Sequence, residues 1–456
     1  MEGKKKERKG RTGRMEEWKD KSVVCQPSNF PVFQSSITFH VSRFTFHVSR
    51  FTQYASRFAS PCILLILFLT VVICCSGQPA GRRTDLSQEL HPGVHIYRYD
   101  WEAEQCALYV AEMDRNHQKL HFEAAIAADQ ILGKESVQSM ADRRSQRADR
   151  RVLVAINGGF GVLGDMRGYS GVLENLHIQD GELMTQPVTG DSCFGVTNKG
   201  DFLIGPVQMQ GKVTIADKVI PIQCINQRRE DGCESILYTP RMGGSTHTSD
   251  RGYEIIFKGL KLPITGGYQS EFVVDGFGTD GNNLVPHDGV VLSFRSPINQ
   301  TFAPQLSKGQ RGKIEISFEP AVWNSVVQAI GGQMRLVKNG KVVEVLEQMH
   351  RAEKGHTPGQ RSPSLPLSHE PRTVLGYNDQ KLILIVADGR QPGYSVGISL
   401  YEFANIMIEL GVTEAINLDG GGSSTFVVDG EVVNRPSGHQ ERDVLNAVFI
   451  TVDKGF

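Results

Sequence analysis

The sequence predicts an α+β fold with mixed β-sheets, a β-rich middle section and a C-terminal parallel β-α-β unit. Alternating apolar and polar residues, separated by Gly- and Asp-containing turns, fill residues 200–320 and indicate antiparallel hairpins. A strand, a helix and a second strand follow one another between residues 381 and 422. Such a crossover joins parallel strands when both lie in one sheet.

The N-terminal part of the chain differs in composition from the rest. Residues 1–61 combine a basic run with a repeated seven-residue unit, which predicts a disordered, low-complexity leader. One interpretation is that this leader is not native and that translation begins near Val48. Residues 62–80 hold the apolar run CILLILFLTVVICC, which has the length of a signal-peptide core; a retained N-terminal membrane anchor is the alternative. No long linker divides residues 90–456, which are predicted to form one domain.

Charge and cysteine content restrict the functional class. The 456-residue chain has a net charge of -1, which gives no reason to expect a nucleic acid partner. An even number of cysteines in an exported domain favours disulfides, and no CxxC pair or HExxH motif indicates zinc. We expect a secreted, periplasmic or cell-envelope protein. One of the three pairings that four cysteines allow joins Cys224 to Cys233 and Cys106 to Cys193.

Three buried strands end in polar, Gly-rich turns. The segment RVLVAINGGF (151–160) runs into Gly-Gly, KLILIVADGR (381–390) ends in Asp-Gly-Arg, and TEAINLDGGG (413–422) ends in an Asp and three glycines. Glycine lets the backbone turn sharply and approach a ligand closely. Open sheets bind ligands at the carboxyl ends of their strands, so the three turns converge on one site if the strands share a sheet.

A helix is predicted between the last two of these strands, over SLYEFANIMIELG (399–411). Ser399 and Glu402 have the spacing of a capping box at its N-terminus. Apolar residues recur at helical spacing after them, and Gly411 can follow the last turn. This helix supplies the crossover of the predicted parallel unit.

The glycine run DGGGSS does not fit a nucleotide-binding loop. A Walker loop needs a Lys after its last Gly, where Ser423 stands, and a dinucleotide fingerprint precedes a helix rather than a hairpin. Asp388 and Asp419 each end a long apolar strand, and paired carboxylates can act as acid, base or nucleophile in glycoside hydrolysis. The Asp-Gly pair at 429–430 is interpreted as an ordinary turn.

Arginines follow or precede the same predicted turns. Arg372, Arg390 and Arg442 all stand beside turns in the C-terminal part of the chain. The guanidinium group suits bidentate binding of phosphate or carboxylate, whereas a single surface Arg is usually solvated or weakly paired. Three of them near one sheet edge favour an anion site.

Several motifs resemble the phosphodiester glycosidase domain family. They are NGGF, GGQMRLVKNG, PRTVLGYN, LILIVADGRQPGYSVGISLYEFANIMIELG, AINLDGGGSSTFVVDGEVVNRPS and ERDVLNAVFI. The likeness covers roughly residues 90–453. Two departures affect the pocket: NGGFGVLGD lacks a second aromatic residue that often follows this motif, and Met334 stands where the family commonly has Pro.

The resemblance implies hydrolysis of a sugar-1-phosphodiester at its glycosidic bond. The implied catalytic residues are Asp419, Asp388 and Arg372. The implied substrate-binding residues are Asn157, Gly158, Gly159, Arg390, Gly420, Gly421, Gly422, Ser423, Ser424, Asn434 and Arg442. No cofactor is predicted, and a divalent metal beside the carboxylates stays open. The expected partner is a sugar-phosphate or glycan substrate. The alternative function is a non-catalytic glycan- or phosphate-binding protein of the cell envelope.

Overall fold

The computed structural model describes residues 81–86, 90–101, 105–164, 171–229, 232–249, 252–295, 306–354 and 366–455. The predictions for the leader (1–61) and for the signal-peptide core or anchor (62–80) concern residues outside these ranges. Within the described part of the chain, no helix is long and apolar enough to span a bilayer.

Strands dominate the first half of the described structure. One α-helix lies among them, α1 (Val137–Ser145). The strands are β1 (Arg82–Asp85), β2 (Val94–Trp101), β3 (Cys106–Asp114), β4 (Leu120–Ile126), β5 (Arg150–Asn157), β6 (Gly161–Val162), β7 (Val172–Leu173), β8 (His177–Gln179), β9 (Glu182–Thr185), β10 (Ser192–Thr197), β11 (Phe202–Pro206), β12 (Gln208–Ile215), β13 (Lys218–Ile222) and β14 (Cys224–Ile225).

The second half adds as many strands and two α-helices, α2 (Glu344–Lys354) and α3 (Leu400–Glu409). The strands are β15 (Ser235–Tyr238), β16 (Tyr253–Lys258), β17 (Tyr268–Gly278), β18 (Gly289–Phe294), β19 (Arg311–Glu319), β20 (Val326–Gly331), β21 (Arg335–Lys338), β22 (Lys341–Val342), β23 (Arg372–Tyr377), β24 (Lys381–Ala387), β25 (Glu414–Asn417), β26 (Phe426–Val428), β27 (Glu431–Val432) and β28 (Asn446–Asp453).

The strands form four main sheets. Two have eight strands, in the orders β1-β2-β3-β24-β23-β25-β21-β22 and β13-β12-β19-β17-β16-β18-β15-β14. Two have five strands, in the orders β27-β26-β5-β28-β4 and β11-β10-β20-β8-β9. We call the first eight-stranded sheet the front sheet and the five-stranded sheet that contains β5 the back sheet. The predicted β-rich middle section corresponds to the second eight-stranded sheet, whose hairpins are antiparallel as expected.

The predicted α+β class with a parallel β-α-β unit is wrong, because the described structure is mainly antiparallel β. The strand-helix-strand segment exists as β24, α3 and β25, but β23 lies between the two strands and pairs antiparallel with both. The expectation failed because the sequence shows that two strands have the same direction, not that they are neighbours. Among the described pairings, the short pair β14 and β15 is parallel.

The front and back sheets share a hydrophobic core. Side chains from β3 and β24 of the front sheet pack in one buried cluster with side chains from β5 and β28 of the back sheet. Phe426 of β26, which lies in the same cluster, is fully buried, and burial of a Phe side chain contributes about 1.5–3 kcal/mol. This packing brings the end of β5 against the ends of β24 and β25.

Helix α3 covers the opposite face of the front sheet. Its N-terminus has the predicted capping box: the Ser399 side chain accepts a hydrogen bond from the Glu402 backbone, and the Glu402 carboxylate accepts one from the Ser399 backbone. Phe403 and Met407 of the helix pack against the sheet in a second apolar cluster. The helix prediction is therefore confirmed, with ends one or two residues inside the expected range.

One of the two predicted disulfides is present. Cys224 and Cys233 are bonded and close a loop at the edge of the second eight-stranded sheet. The pairing of Cys106 with Cys193 is wrong: both residues are buried thiols, in strands β3 and β10, which belong to different sheets. Burial raises the pKa of the Cys193 thiol, which disfavours a reactive thiolate there.

We expect the Cys224–Cys233 disulfide to stabilise the fold mainly by restricting the unfolded chain. The two residues are separated by nine positions, and closing a loop of that length stabilises by about 2–3 kcal/mol. Denaturant unfolding of the Cys224→Ser/Cys233→Ser double variant should show this loss in the free energy of unfolding. A reducing agent should destabilise the wild-type protein to a similar extent and leave the double variant unchanged; equal stability of the two oxidised proteins would contradict the expectation.

Candidate active site

The turn after β25 is attached to the back sheet by backbone and side-chain hydrogen bonds. The Asp419 N–H donates to the Gly158 carbonyl at 3.0 Å, and the Asn157 side-chain amide donates to the Asp419 carbonyl at 2.7 Å. Asn157 is the last residue of β5 and is completely buried. The backbone of Asp419 is therefore fixed by the end of a strand from the other sheet.

The three glycines after Asp419 let the backbone pass close to its neighbours. A Cβ atom at Gly420 would lie 2.7 Å from the Pro371 carbonyl oxygen, which is too close for any side chain. Gly421 has a φ of +61°, a conformation that glycine adopts without steric cost. This explains why a carboxylate at the end of a buried strand is followed by glycines.

Three arginines surround this glycine turn. A Cβ atom at Gly421 would lie 3.1 Å from the Arg390 guanidinium, and one at Gly422 would lie 3.1 Å from the Arg442 guanidinium. A Cβ atom at Gly420 would lie 3.7 Å from Arg372 Cδ, an ordinary van der Waals contact. Side chains at Gly421 and Gly422 would crowd the Arg390 and Arg442 guanidinium groups, so these two glycines keep both cations close to the turn.

Asp419 carries the partly exposed carboxylate of the site. Its Oδ2 accepts a hydrogen bond from the Ser423 hydroxyl at 2.5 Å and lies 3.6 Å from Arg442 Nη2. The Arg442 guanidinium in turn donates two hydrogen bonds to Ser423 Oγ, at 3.1 and 2.5 Å. Burial raises the pKa of Asp419, and the Ser423 hydrogen bond and the Arg442 charge oppose this rise.

The other two arginines have different environments. Arg390 is half-exposed, has a φ of +61° and pairs with the Glu370 carboxylate at 2.6 Å. Arg372 is buried, and its guanidinium donates to the backbone carbonyls of Ile398 and Ser368. Burial and the Arg390 charge lower the pKa of Arg372, while Glu370 opposes them.

Asp388 is a buried carboxylate with three hydrogen-bond donors. Tyr394 Oη and the Arg435 N–H donate to Oδ2 at 2.8 and 2.9 Å, and the Asn434 amide donates to Oδ1 at 2.8 Å. Its residue exposure is 1%. Burial raises the pKa of Asp388, and the three donors oppose this rise. The carboxylate thus orients protein groups around it.

A chain of buried polar side chains connects the two acidic residues. Asn434 links Asp388 to the Ser424 carbonyl, to which its amide donates at 3.2 Å. The Thr373 hydroxyl lies 3.3 Å from Ser424 Oγ and donates to Asn157 Oδ1 at 2.8 Å. Asn157 then holds Asp419, so one continuous network spans both sheets.

This region of the chain matches a known family. Residues 259–451 match the sequence profile of the phosphodiester glycosidase family, and this range includes both acidic residues and all three arginines of the site. This part of the chain is similar to the phosphodiester glycosidase family. The resemblance predicted from the motifs is confirmed over this range, while Asn157, Gly158 and Gly159 lie outside it.

A curated relative is similar to part of the chain. Human N-acetylglucosamine-1-phosphodiester alpha-N-acetylglucosaminidase is 34% identical to the chain over 117 residues. The matched stretch is 25% of this chain and 22% of the human protein, so the chain spans about a fifth of the relative's length.

Solved structures share the fold more widely. A hypothetical protein from Synechocystis has a TM-score of 0.63 and 18% identity, covering 82% of this chain and 64% of its own. A protein from Burkholderia pseudomallei K96243 has a TM-score of 0.58 and 21% identity, covering 76% of this chain and 74% of its own. At these identities the likeness concerns the fold.

The predicted site residues lie in two layers. Around the glycine turn are Asp419, Gly420, Gly421, Gly422, Ser423, Arg372, Arg390 and Arg442. Beneath the turn are Asn157, Gly158, Ser424, Asn434 and Asp388. Gly159 lies further along, where a Cβ atom would meet the Gly331 carbonyl at 2.2 Å. The expected convergence arises from packing of two sheets, because β5 does not share a sheet with β24 and β25.

Sequence reasoning missed several residues of this site. Thr373 and Tyr394 complete the hydrogen bonding of Asn157 and Asp388, and Glu370 pairs with Arg390. Thr373 and Glu370 flank the predicted Arg372, and Tyr394 follows the predicted Arg390 by four positions. Proximity to the predicted arginines is the signal that could have found them. In the described ranges, no group of three His, Cys, Asp or Glu side chains could hold a metal ion.

Asn434→Ala should destabilise the phosphodiester glycosidase domain. The change removes a donor to the buried Asp388 carboxylate and the acceptor of the Phe426 N–H at 2.7 Å. Leaving a buried charge short of a partner costs about 2–4 kcal/mol. Denaturant unfolding measures this loss. Glu431→Ala, at an exposed position of the adjacent strand β27, should change stability by less than about 0.5 kcal/mol; a similar loss in both variants would contradict the role given to Asn434.

Proposed function

We propose that this protein is a hydrolase that cleaves a sugar-1-phosphodiester at the glycosidic C1–O bond. The products are a free sugar and a phosphomonoester. The observation that carries the proposal is the arrangement of the Arg390 and Arg442 guanidinium groups and one partly exposed carboxylate around the turn 419–423, with the Arg372 side chain next to Gly420. The family match over residues 259–451 supports the same reaction class.

The substrate class follows from what each group can bind. Guanidinium groups bind phosphate oxygens with two hydrogen bonds, and Arg390 and Arg442 are half-exposed beside the turn. Arg372 is buried, and its side chain contacts Gly420. The human relative is named for N-acetylglucosamine-1-phosphodiester, so we propose an N-acetylhexosamine-1-phosphodiester as the first substrate to test.

The reaction needs little proton donation to the leaving group. When the C1–O bond breaks, its electron pair leaves with the phosphomonoester, whose charge the arginines stabilise. Positive charge develops at the sugar C1, and the Asp419 carboxylate stabilises it. Water supplies the new oxygen on C1, and its proton passes to a carboxylate or to solvent. Accumulation of a sugar-bound protein in rapid-quench mass spectrometry would identify Asp419 as the nucleophile, whereas release of a sugar with inverted anomeric configuration would identify it as the general base.

Asp388 has a different role in this proposal. Its three donors and its 1% exposure support a positioning role, in which it holds Asn434 and Arg435 rather than meeting the sugar. The assignment of Asp388 as a catalytic residue, made from the sequence, stays a prediction. Asp388→Asn should therefore be compared with Asp419→Asn only at matched folded fractions, because the former loses a buried charge network.

We also propose that the domain functions outside the cytoplasm. The Cys224–Cys233 disulfide supports an oxidising compartment, and the apolar run at 62–75 has the length of a signal-peptide core.

Asp419→Asn should lower kcat by about 10²–10⁴-fold on a sugar-1-phosphodiester. The substitution keeps the shape of the side chain and removes the negative charge that stabilises C1. Release of free sugar measures the rate. Asp429→Asn is the matched control, since Asp429 also precedes a glycine but lies in the exposed hairpin turn between β26 and β27.

If the Asp419→Asn variant hydrolyses the phosphodiester as fast as the wild-type protein does, the role of this carboxylate is refuted. The non-catalytic alternative is separated by the same assay. A protein that binds inorganic phosphate or glycans but releases no sugar from any phosphodiester would be a binding protein.

Arg442→Gln should reduce kcat/KM by about 10²-fold, because one donor to the leaving phosphate is lost. Inorganic phosphate should also become a weaker inhibitor of the variant. Arg351→Gln is the control, because Arg351 is exposed on α2 and pairs with Glu347 on the same helix. Equal phosphate inhibition of wild type and Arg442→Gln would contradict the assignment of this arginine to the leaving group.

A further inference from the structure

A cleft of about 390 Å³ opens near the candidate site. The residues that surround the arginine-lined turn do not line it. Its polar lining includes Glu174, Asp191, Arg228 and Gln333, with Phe160 on one wall. The volume lies in the range typical of small-molecule sites. The residues Phe160 to Arg228 precede the segment matched by the family profile.

Two backbone connections join this cleft to Asp419. Gly158, whose carbonyl accepts from the Asp419 N–H, is followed two positions later by Phe160. On the other wall, the Gln333 N–H donates to the Asn417 carbonyl at 3.4 Å. The cleft therefore begins within two residues of Gly158, which accepts from the Asp419 N–H, and of Asn417, which precedes Asp419 by two positions.

The walls of the cleft are held by satisfied polar groups. The buried Asn175 amide donates to the Gly332 carbonyl at 2.7 Å, and the buried Gln227 amide donates to the Leu173 carbonyl at 2.7 Å. The Glu174 N–H donates to the Phe160 carbonyl at 3.1 Å, and the Cys224–Cys233 disulfide closes the segment that carries Arg228. These contacts fix the backbone that forms the walls of the cleft.

The charges of the cleft differ from those of the turn. Glu174 and Asp191 both line it, and burial together with the Glu174 charge raises the pKa of Asp191, so the two carboxylates lie within electrostatic reach of each other. Arg228 offsets one of these two charges. Carboxylates accept hydrogen bonds from hydroxyl groups, whereas they repel a phosphate or a second carboxylate.

We propose that this cleft is the sugar subsite and that Glu174 and Asp191 determine its specificity. The proposal rests on the proposed function, because it assigns the sugar half of the same substrate. The carboxylates accept hydrogen bonds from sugar hydroxyls, and the Phe160 ring offers an apolar surface to the sugar ring. The acidic pair orients the substrate with its phosphate toward the arginines. It also excludes sugars that carry a carboxylate, such as uronic acids.

Saturation-transfer NMR tests this without requiring turnover. The probes are N-acetylglucosamine, glucosamine and glucuronate, each added at pH 7 to the wild type, Glu174→Gln, Asp191→Asn and the double variant. We expect N-acetylglucosamine and glucosamine to bind the wild type, and glucuronate to be rejected. Each single substitution should weaken N-acetylglucosamine about tenfold, because a hydrogen bond to a charged acceptor is lost. The double variant should bind glucuronate, a gain that general damage to the fold does not produce.

Asp217→Asn is the matched control, because Asp217 is an exposed carboxylate in the turn between β12 and β13. Inorganic phosphate should bind all variants equally, and thermal unfolding should confirm that each is folded. Unchanged N-acetylglucosamine binding in both single variants, or a wild type that binds none of the probes, would overturn the proposal. If the sugar signals depend on the two carboxylates while no phosphodiester is hydrolysed, the cleft assignment holds and the proposed function fails. If the wild type hydrolyses a phosphodiester and KM is the same in every variant, the proposed function holds and the cleft assignment fails.

Discussion

The site depends on the side-chain amide of Asn157, which stands at the end of β5 in the back sheet and binds the turn that follows β25 of the front sheet. Its Nδ2 donates to the Asp419 carbonyl, and its Oδ1 accepts from the Thr373 hydroxyl and from the Thr425 N–H. Three of its four hydrogen-bonding positions are thus filled by different strands and turns, in a place without exposure to water. A buried amide with fixed partners has one orientation. Because this amide binds both Asp419 and Thr425, it fixes the position of the turn 419–425.

Burying the polar groups of this network costs free energy, and hydrogen bonds to those groups offset the cost. Asp388 would be expensive as an isolated buried charge, but three donors surround it. One donor, Asn434, also accepts from the Phe426 N–H, so the charge is coupled to the first residue of β26. The hairpin after the glycine run is therefore part of the same rigid unit as the turn. Preorganisation of this kind lets charged groups act on a ligand without first rearranging.

The sequence indicated which turns lie together more clearly than it indicated the order of the strands. The turns after β5, β24 and β25 were recognisable because each joins an apolar run to Gly and a polar residue, a local pattern. The helix α3 was recognisable from its capping box and its apolar spacing. The insertion of β23 between β24 and β25 is a long-range choice of partner, which periodicity does not encode, and the parallel unit was wrong for that reason. The pairing of Cys106 with Cys193 failed similarly, because strand positions in different sheets decide which thiols meet.

The arginines show how exposure divides roles among identical side chains. The buried Arg372 guanidinium donates to the backbone carbonyls of Ile398 and Ser368, so its charge acts through an interior of low dielectric. Arg442 is bound to Ser423, which is itself bound to Asp419, so a phosphate that displaces this contact would also change the partners of the carboxylate. Arg390 is paired with Glu370, whose carboxylate accepts a hydrogen bond from the guanidinium that a phosphate oxygen could otherwise accept. In the proposed reaction, binding of the singly charged phosphodiester must then exceed the loss of that pair, and a half-exposed pair of this kind is weak enough to be exchanged. The site thus combines one fixed cation with two that can change partners when a ligand arrives.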